Sequence, residues 1–191
     1  MLVDRGYSKK IDIHYNTNGT TWPTRGVELW KQFKRVEIAF SIDDVSARFE
    51  YQRFGASWDE TYSNILKATE TPFPLQICTT FNIQNAYYWG ALSQWIESTG
   101  IKDVHFNILQ APPVFSLRNL PEHVKPLFAE KMLTMSDPIW HQKLNGVIGF
   151  MNLPGTDMSK EFIEKIKLHD AYRNEKFEDA HPEVWRLLNG R

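Results

Sequence analysis

The sequence has almost no cysteine. Among its 191 residues only Cys78 carries a thiol. A disulfide needs two cysteines, and an iron–sulfur cluster or a thiolate zinc site needs several. The chain therefore excludes an internal disulfide framework and any multi-cysteine metal site built from its own residues.

The sequence also lacks an excess of one charge and a long apolar run. It has 22 Lys and Arg against 23 Asp and Glu, a net charge of −1. Binding to nucleic acid by phosphate neutralisation favours a basic excess, so no nucleic-acid partner is expected. No apolar run reaches the roughly 18 residues that cross a bilayer, and the first residues lack the pattern of a secretory signal. We expect a cytoplasmic protein with no membrane partner.

What the sequence does contain is a regular alternation of strand and helix. Strands are predicted at residues 11–15, 36–42, 74–81 and 104–109, and helices at 25–34, 57–70 and 85–98 between them. Helical crossovers of this length imply parallel neighbouring strands. After residue 110 only helices are predicted, at 121–135, 137–151, 159–172 and 182–188. The predicted fold class is α/β, with a partial parallel β/α barrel of about four strands over residues 1–110 and a helical C-terminal extension over residues 111–191.

Each predicted strand has one apolar face and one polar face. In the second strand, Val36, Ile38 and Phe40 alternate with Glu37 and Ser41. Parallel strands that are covered on both faces usually read as continuous apolar runs, which these are not. The crossover helices must cover the apolar faces, so the polar faces meet water or a ligand. The pattern favours a polar-lined barrel cavity over the alternative, an open sheet with one solvated face.

Each predicted strand ends in small polar residues. Barrels and open α/β sheets bind their ligands at the carboxyl ends of strands, which favours a site there. Helix caps and turns also select these residue types, and that alternative explains Asn85 well. The residues are Asn16, Asn18, Ser41, Asp43, Asn82, Asn85, Asn107 and Gln110.

Several of these strand endings resemble those of radical S-adenosylmethionine (radical SAM) enzymes. The similar segments are residues 13–20 (Ile-His-Tyr-Asn-Thr-Asn-Gly-Thr), 39–44 (Ala-Phe-Ser-Ile-Asp-Asp), 80–85 and 105–109, and the helices near residues 168–183 are similar to those of members with a twitch or SPASM-like extension. The three-cysteine motif and the Gly-Gly-Glu motif of that family have no counterpart here. The chain thus resembles the C-terminal part of the partial barrel, and a fragment or degenerate member is expected.

The resemblance implies S-adenosylmethionine as cofactor and a set of residues that bind it. Residues at the end of the family's fourth strand bind the cofactor's ribose, a role that falls on Ser41 and Asp43, while Arg53 would pair with the cofactor's carboxylate or else form a surface ion pair. His14 and His105 are candidates for acid–base groups in a shared interior. The full set of implied cofactor-binding residues is Ser41, Asp43, Asn16, Asn18, Asn82, Asn107 and Arg53. The family's [4Fe-4S] cluster is also implied, but its cysteine ligands are absent from this sequence.

Three functions remain open on the sequence. The first is part of the S-adenosylmethionine and substrate cavity of a radical SAM enzyme, not catalytically complete alone. Its partner would be a cluster-bearing N-terminal half, or a second copy joined through the edge of the first strand. The second is a non-enzymatic interaction module that binds a partner through its polar sheet face. The third, a metal- or nucleotide-dependent transferase, lacks a convincing glycine-rich phosphate loop.

Overall fold

A computed structural model describes residues 2–190. Its centre is one sheet of four parallel strands in the order β1-β2-β3-β4. The strands are β1 (Asp12–Thr17), β2 (Arg35–Ser41), β3 (Leu75–Phe81) and β4 (Asp103–Ile108). The architecture is α/β, with helices following the strands, and it is consistent with part of a barrel-like fold, as the sequence predicts.

Nine α-helices accompany the sheet in the part of the chain that the structure describes. Between the strands lie α1 (Thr24–Trp30), α2 (Ser46–Gln52), α3 (Trp58–Thr69) and α4 (Trp89–Thr99). After β4 come α5 (Lys125–Thr134), α6 (His141–Met151), α7 (Ser159–Arg173), α8 (Phe177–Ala180) and α9 (Pro182–Asn189). Short 3-10 segments cover Tyr7–Lys10, Ala86–Tyr88, Pro113–Phe115, Leu117–Asn119 and Pro138–Trp140.

The strand register confirms the predicted division into an apolar and a polar face. Ala39 lies opposite Gln76, and Gln76 lies opposite Asp103. Asn16 of β1 also lies opposite Ala39. Residues two apart share a face, so the polar residues that alternate with the apolar ones in each strand lie on one side of the sheet, apart from threonines such as Thr79. On the other side, Ile38, Phe40 and other strand residues are buried in one core with α3 and α4.

Local signals explain some helix boundaries and fail at others. The Ser57 hydroxyl accepts a hydrogen bond from the Glu60 N–H at 3.3 Å and begins α3, as predicted. Gly100 adopts φ +74°, the left-handed conformation that ends α4. The prediction that Asn85 caps a helix is wrong: a 3-10 turn intervenes before α4, and the Asn85 Oδ1 accepts from the backbone N–H of Asn82, which precedes it in the chain.

A single buried cluster runs through both the strand-rich part and the helical C-terminal part. It joins Phe40 and Ile77 of the sheet to Phe128, Phe162 and other residues of the later helices. Burial of side chains of this size contributes about 1.5–3 kcal/mol each. The helices after residue 110 are therefore packed onto the sheet rather than attached as a loose tail.

Within residues 2–190, no helix is both long enough and apolar enough to span a membrane.

Candidate functional site

Asp43 is the best-organised polar residue at the carboxyl end of the sheet. One carboxylate oxygen accepts the Thr80 N–H at 2.8 Å. The other accepts from the Arg53 Nη2 at 2.9 Å, and the same nitrogen donates to the Ser41 carbonyl at 2.7 Å. Arg53 therefore binds the last residue of β2 and Asp43, two residues further on, while Asp43 ties that segment to β3. We call this set (Ser41, Asp43, Arg53 and Thr80) the rim cluster.

The electrostatics of the rim cluster place a partly desolvated carboxyl beside a cation. Burial raises the pKa of Asp43 above its usual value, while the Thr80 N–H and the Arg53 guanidinium oppose that rise. Both side chains keep some exposure, 22% for Asp43 and 25% for Arg53. The pair is thus a fixed, solvent-reachable hydrogen-bonding platform and not a sealed structural ion pair.

The Ser41 hydroxyl is the rim group most available to a ligand. Ser41 is half-buried at the end of β2, and its hydroxyl has no hydrogen-bond partner within residues 2–190. Asn16, at the end of β1, is exposed and its side-chain amide likewise has none in that range. Both side chains project from the polar face, since Asn16 lies opposite Ala39 and Ser41 lies two residues further along β2.

Asn18 and Asn82, two other predicted ligand residues, are occupied in turns. The Asn18 Oδ1 accepts from the N–H and the hydroxyl of Thr20, at 3.2 and 2.9 Å. The Asn82 Oδ1 accepts the Gln84 N–H at 2.8 Å, and its Nδ2 donates to the Thr80 carbonyl at 3.2 Å. These are the bonds that the turn interpretation of such residues requires. Their cofactor-binding role stays a prediction.

The two strand histidines lie at opposite edges of the polar face. His14 lies on β1 and His105 on β4, the two edges of the sheet. Three inter-strand spacings separate these strands, about 14 Å. His14 Nδ1 lies 3.5 Å from a Glu37 oxygen, while His105 Nε2 lies 3.1 Å from the Oδ1 of Asn107. The two imidazoles therefore do not contact each other in residues 2–190, and their acid–base role stays a prediction. Asn107, a predicted cofactor contact, contacts His105.

The residues of this chain do not fit an iron–sulfur cluster. Cys78 lies in the middle of β3, and its Sγ donates to the Gln76 Oε1 at 3.2 Å. Burial and the neighbouring Asp103, Asp43 and Glu37 raise the pKa of the thiol, which disfavours the thiolate that ligates a metal. Within residues 2–190 no three His, Cys, Asp or Glu side chains form a metal-binding group.

The polar face is open in the described part of the chain. There β1 pairs with β2 alone and β4 with β3 alone, so the four strands do not close on themselves. His14, His105 and Asn107 are exposed, and Glu37 and Thr80 are half-buried. A ligand at the rim cluster would lie on an uncovered surface unless a further layer covers it. The four strands of residues 2–190 thus leave their polar face open, which is consistent with part of a barrel-like fold.

A buried ion pair that was not predicted from the sequence lies directly after Asp43 of the rim cluster. Asp44 is 1% exposed and accepts from its neighbour's N–H (Val45) and from the Arg48 Nε, at 2.8 and 2.9 Å. The only sequence signal was an acid followed by an arginine four residues later, a spacing that joins side chains on a helix. This spacing could not be interpreted as an ion pair because α2, the helix that carries Arg48, was not predicted.

Comparisons with models of protein families, with curated proteins and with solved structures give no match to this chain.

Proposed function

We propose that the rim cluster and the adjoining polar face form part of a binding site for S-adenosylmethionine, in a chain that supplies part of the cofactor and substrate cavity of a radical SAM enzyme and acts in the cytoplasm. The support is the resemblance of the strand endings together with one structural observation. A half-buried Ser41 hydroxyl without a partner in residues 2–190 lies next to a carboxylate that Arg53 and Thr80 hold in place.

The residues have distinct roles in this proposal. Each Asp43 oxygen has accepted one hydrogen bond and retains a second lone pair that can accept a ribose hydroxyl. The Ser41 hydroxyl can donate to or accept from the same sugar. Arg53 fixes the Asp43 carboxylate, so we reassign it from the cofactor's own carboxylate to a positioning role. Asn16, with its amide unengaged in residues 2–190, adds a second contact on β1.

The proposal includes no reaction by this chain alone. In the family a [4Fe-4S] cluster supplies the electron that cleaves the cofactor, and thiolates hold that cluster. Cys78 does not fit this role, so the cluster ligands would come from a cysteine-bearing partner. What the residues of this chain supply is binding and orientation of the cofactor at the open polar face.

The test is calorimetric titration with S-adenosylmethionine, alone and with a candidate cysteine-bearing partner. We expect Ser41→Ala to bind the cofactor about 3- to 10-fold more weakly than the wild type, because one hydrogen bond contributes about 0.5–1.5 kcal/mol. The Ser41 hydroxyl bonds to nothing else in residues 2–190, so thermal unfolding of this variant should match that of the wild type.

Ser98→Ala is the matched control. Ser98 is exposed, and its hydroxyl donates to the Trp95 carbonyl of its own helix, at the end of α4. It should leave cofactor binding unchanged. If the wild type binds no S-adenosylmethionine under either condition, the cofactor proposal is wrong. Equal binding by wild type and Ser41→Ala would remove Ser41 from the site.

The second candidate function is an interaction module, and the open sheet edge is the observation that favours it. In residues 2–190 the strand β1 has a neighbour on one side only, which leaves its outer N–H and C=O groups for another strand. Ile13 is only partly buried and Tyr15 is 37% exposed, so apolar surface accompanies these groups. We propose that a second copy of the chain, or the cluster-bearing partner, pairs with this edge.

For this candidate we expect the wild-type chain to self-associate with rising concentration in light scattering, and His14→Lys to reduce that association. A lysine on an edge strand disfavours strand pairing because it would be brought against a like charge or desolvated. The substitution should be tolerated in the single chain, since His14 already lies 3.5 Å from the Glu37 carboxylate, which a lysine can pair with.

His105→Lys, on the opposite edge strand β4, is the control and should leave association through β1 unchanged. A wild-type chain that stays monomeric across the concentration range would overturn the second candidate. Association reduced by His105→Lys and not by His14→Lys would assign the contact to β4 instead.

A further inference from the structure

A cavity of about 390 Å³ lies among the helices, away from the rim cluster. Its charged lining residues come from four helices: Arg48 of α2, Lys131 of α5, Asp179 of α8 and Glu183 of α9. None of the rim residues lines it. We call it the four-helix pocket, and nothing in the proposed function explains it.

The hydrogen bonds of the Arg48 side chain within residues 2–190 involve its inner nitrogen alone. The Nε donates to the buried Asp44 carboxylate at 2.9 Å. The guanidinium carbon lies 4.4 Å from the centre of the Tyr88 ring, a favourable cation–π geometry. The two terminal nitrogens have no acceptor within residues 2–190. Arg48 is thus a pre-oriented fork, and such a fork binds a carboxylate through two parallel hydrogen bonds.

Lys131 is the second cation of the pocket and, unlike Arg48, it has no ion-pair partner in the described part of the chain. Its Nζ lies 5.7 Å from the centre of the Tyr87 ring. Lys131 therefore lies over the Tyr87 ring and Arg48 over the Tyr88 ring, and both rings line the pocket. Two cations alone would favour an anionic ligand.

Two carboxylates line the same pocket and exclude a simple anion. Glu183 accepts a hydrogen bond from the Tyr88 hydroxyl through Oε2 at 2.9 Å, and Asp179 is exposed. Neither forms a salt bridge within residues 2–190, although Arg48 and Lys131 line the same cavity. Both acids therefore remain unpaired beside Lys131 and beside the terminal nitrogens of Arg48, which Asp44 does not contact. This is a charge pattern that a ligand with one positive and one negative group completes.

From this pattern we propose that the four-helix pocket binds a free α-amino acid. Its carboxylate would contact Arg48 and Lys131, and its ammonium group would contact Glu183 and Asp179. The side chain would lie against Tyr87 and the exposed Met135, which favours an apolar or aromatic residue. The cavity volume falls within the range of small-molecule sites.

Tyr88, whose ring lies under Arg48, also fixes the acidic wall, by which we mean the side of the pocket lined by Glu183 and Asp179. Its hydroxyl donates to Glu183 and accepts the backbone N–H groups of Glu183 and Val184, at 3.2 and 3.4 Å. This holds the start of α9 against Tyr88, so the acidic wall keeps its position relative to the cation above the ring. Such pre-organisation lowers the cost of binding.

The test is calorimetric or NMR titration of the full chain with each of the twenty common L-amino acids. For L-phenylalanine, two analogues separate the charges: 2-phenylethylamine lacks the carboxylate and 3-phenylpropanoate lacks the ammonium group. We expect at least one apolar or aromatic amino acid to bind, and each analogue of L-phenylalanine to bind at least tenfold more weakly than L-phenylalanine itself. Failure of all twenty amino acids to bind overturns the proposal, as does binding of either analogue as tight as that of the amino acid.

Lys131→Gln removes a proposed contact to the carboxylate of the amino acid, and Glu183→Gln removes one to its ammonium group. Each should weaken amino-acid binding about tenfold. Lys67→Gln is the control, because Lys67 lies on α3, does not line this pocket and should leave binding unchanged. Thermal unfolding of each variant identifies loss of fold. A variant that is folded and binds like the wild type removes its residue from the site, and if both do so the zwitterion assignment is wrong.

Discussion

Between pH 7 and pH 4 the buried His181 is expected to lower the free energy of unfolding by about 3 kcal/mol, and replacing it by leucine should abolish this loss. His181 is fully buried, and neither ring nitrogen has a hydrogen-bond partner within residues 2–190. Its ring stacks on Phe177 at 4.4 Å, with Tyr51 and Tyr88 at 5.4 and 5.6 Å. An imidazole in such an aromatic box is costly to protonate.

The sign of the effect follows from the pKa. Burial first, and the nearby Arg48 cation second, lower the pKa of His181 to about 3. In the unfolded chain a histidine titrates near 6.5. Between these values the unfolded chain binds a proton that the folded chain does not, so the free energy of unfolding falls as pH falls from about 6.5 towards 3. Leucine has no proton to bind, so this contribution disappears.

The measurement is urea unfolding of wild type and His181→Leu at several values between pH 7 and pH 4. The quantity that tests the prediction is the difference between the two free energies of unfolding. Burial raises the pKa of Asp44 to about 7, which gives the opposite pH dependence, but it is present in both proteins and cancels in the difference. At pH 7 the variant should be no less stable, because an unpaired buried polar group costs about 1–3 kcal/mol.

His105→Leu is the matched control, since His105 is exposed on β4. Its pH profile should follow that of the wild type. Parallel profiles for wild type and His181→Leu would mean that His181 finds a partner or water in solution, and the prediction would be wrong.

The sheet could be predicted from sequence because its signal is local and repeated. Alternation in β2 and β3 places Ile38 and Ile77 on one face and Glu37 and Gln76 on the other. A slip of one residue would expose every apolar side chain, so the pattern alone determines which face the helices cover. The same reasoning brought Ser41 and Asp43 to one end of the sheet.

Elements that depend on distant contacts could not be predicted in this way. The helix α2 has only seven residues, and no side chain caps its N-terminus. Its stability comes from tertiary contacts such as that of the Tyr51 hydroxyl, which donates to Asp170 at 2.7 Å. Isolated helices of this length are unstable in water, so propensity carried no signal.

Side-chain partners within the sites were also beyond the sequence. Arg53 was expected either at a cofactor carboxylate or in an ion pair, and the choice depends on the Asp43 Oδ2 lying 2.9 Å from its Nη2. The four-helix pocket combines Arg48 with Lys131 and Glu183, which are 83 or more residues further along the chain. Spacing along the sequence does not show which of these side chains meet in one pocket, because their meeting results from how the helices pack.

Replacing Gly155 by alanine is expected to lower the free energy of unfolding by about 3 kcal/mol. Gly155 is exposed, yet a Cβ atom there would fall on the Arg118 carbonyl oxygen and within 2.7 Å of the Asn119 Oδ1. The loop cannot shift freely, because the Thr156 N–H donates to that Oδ1 and the Met158 N–H donates to the Asn119 carbonyl, both at 3.1 Å. The new methyl group must break these bonds or distort the segment that carries them.

Gly149→Ala provides the control, since a Cβ at this exposed position inside α6 would meet nothing within 4 Å. Alanine is the better helix former by about 1 kcal/mol, so this variant should be stabilised. In a chain of this size each kcal/mol moves the melting temperature by about 2–4 °C, which predicts a fall of about 6–12 °C for Gly155→Ala and a small rise for Gly149→Ala. Equal melting temperatures for Gly155→Ala and the wild type would show that the loop at Gly155 relaxes without losing its bonds to Asn119. The backbone at Asn119 would then not be fixed by this contact.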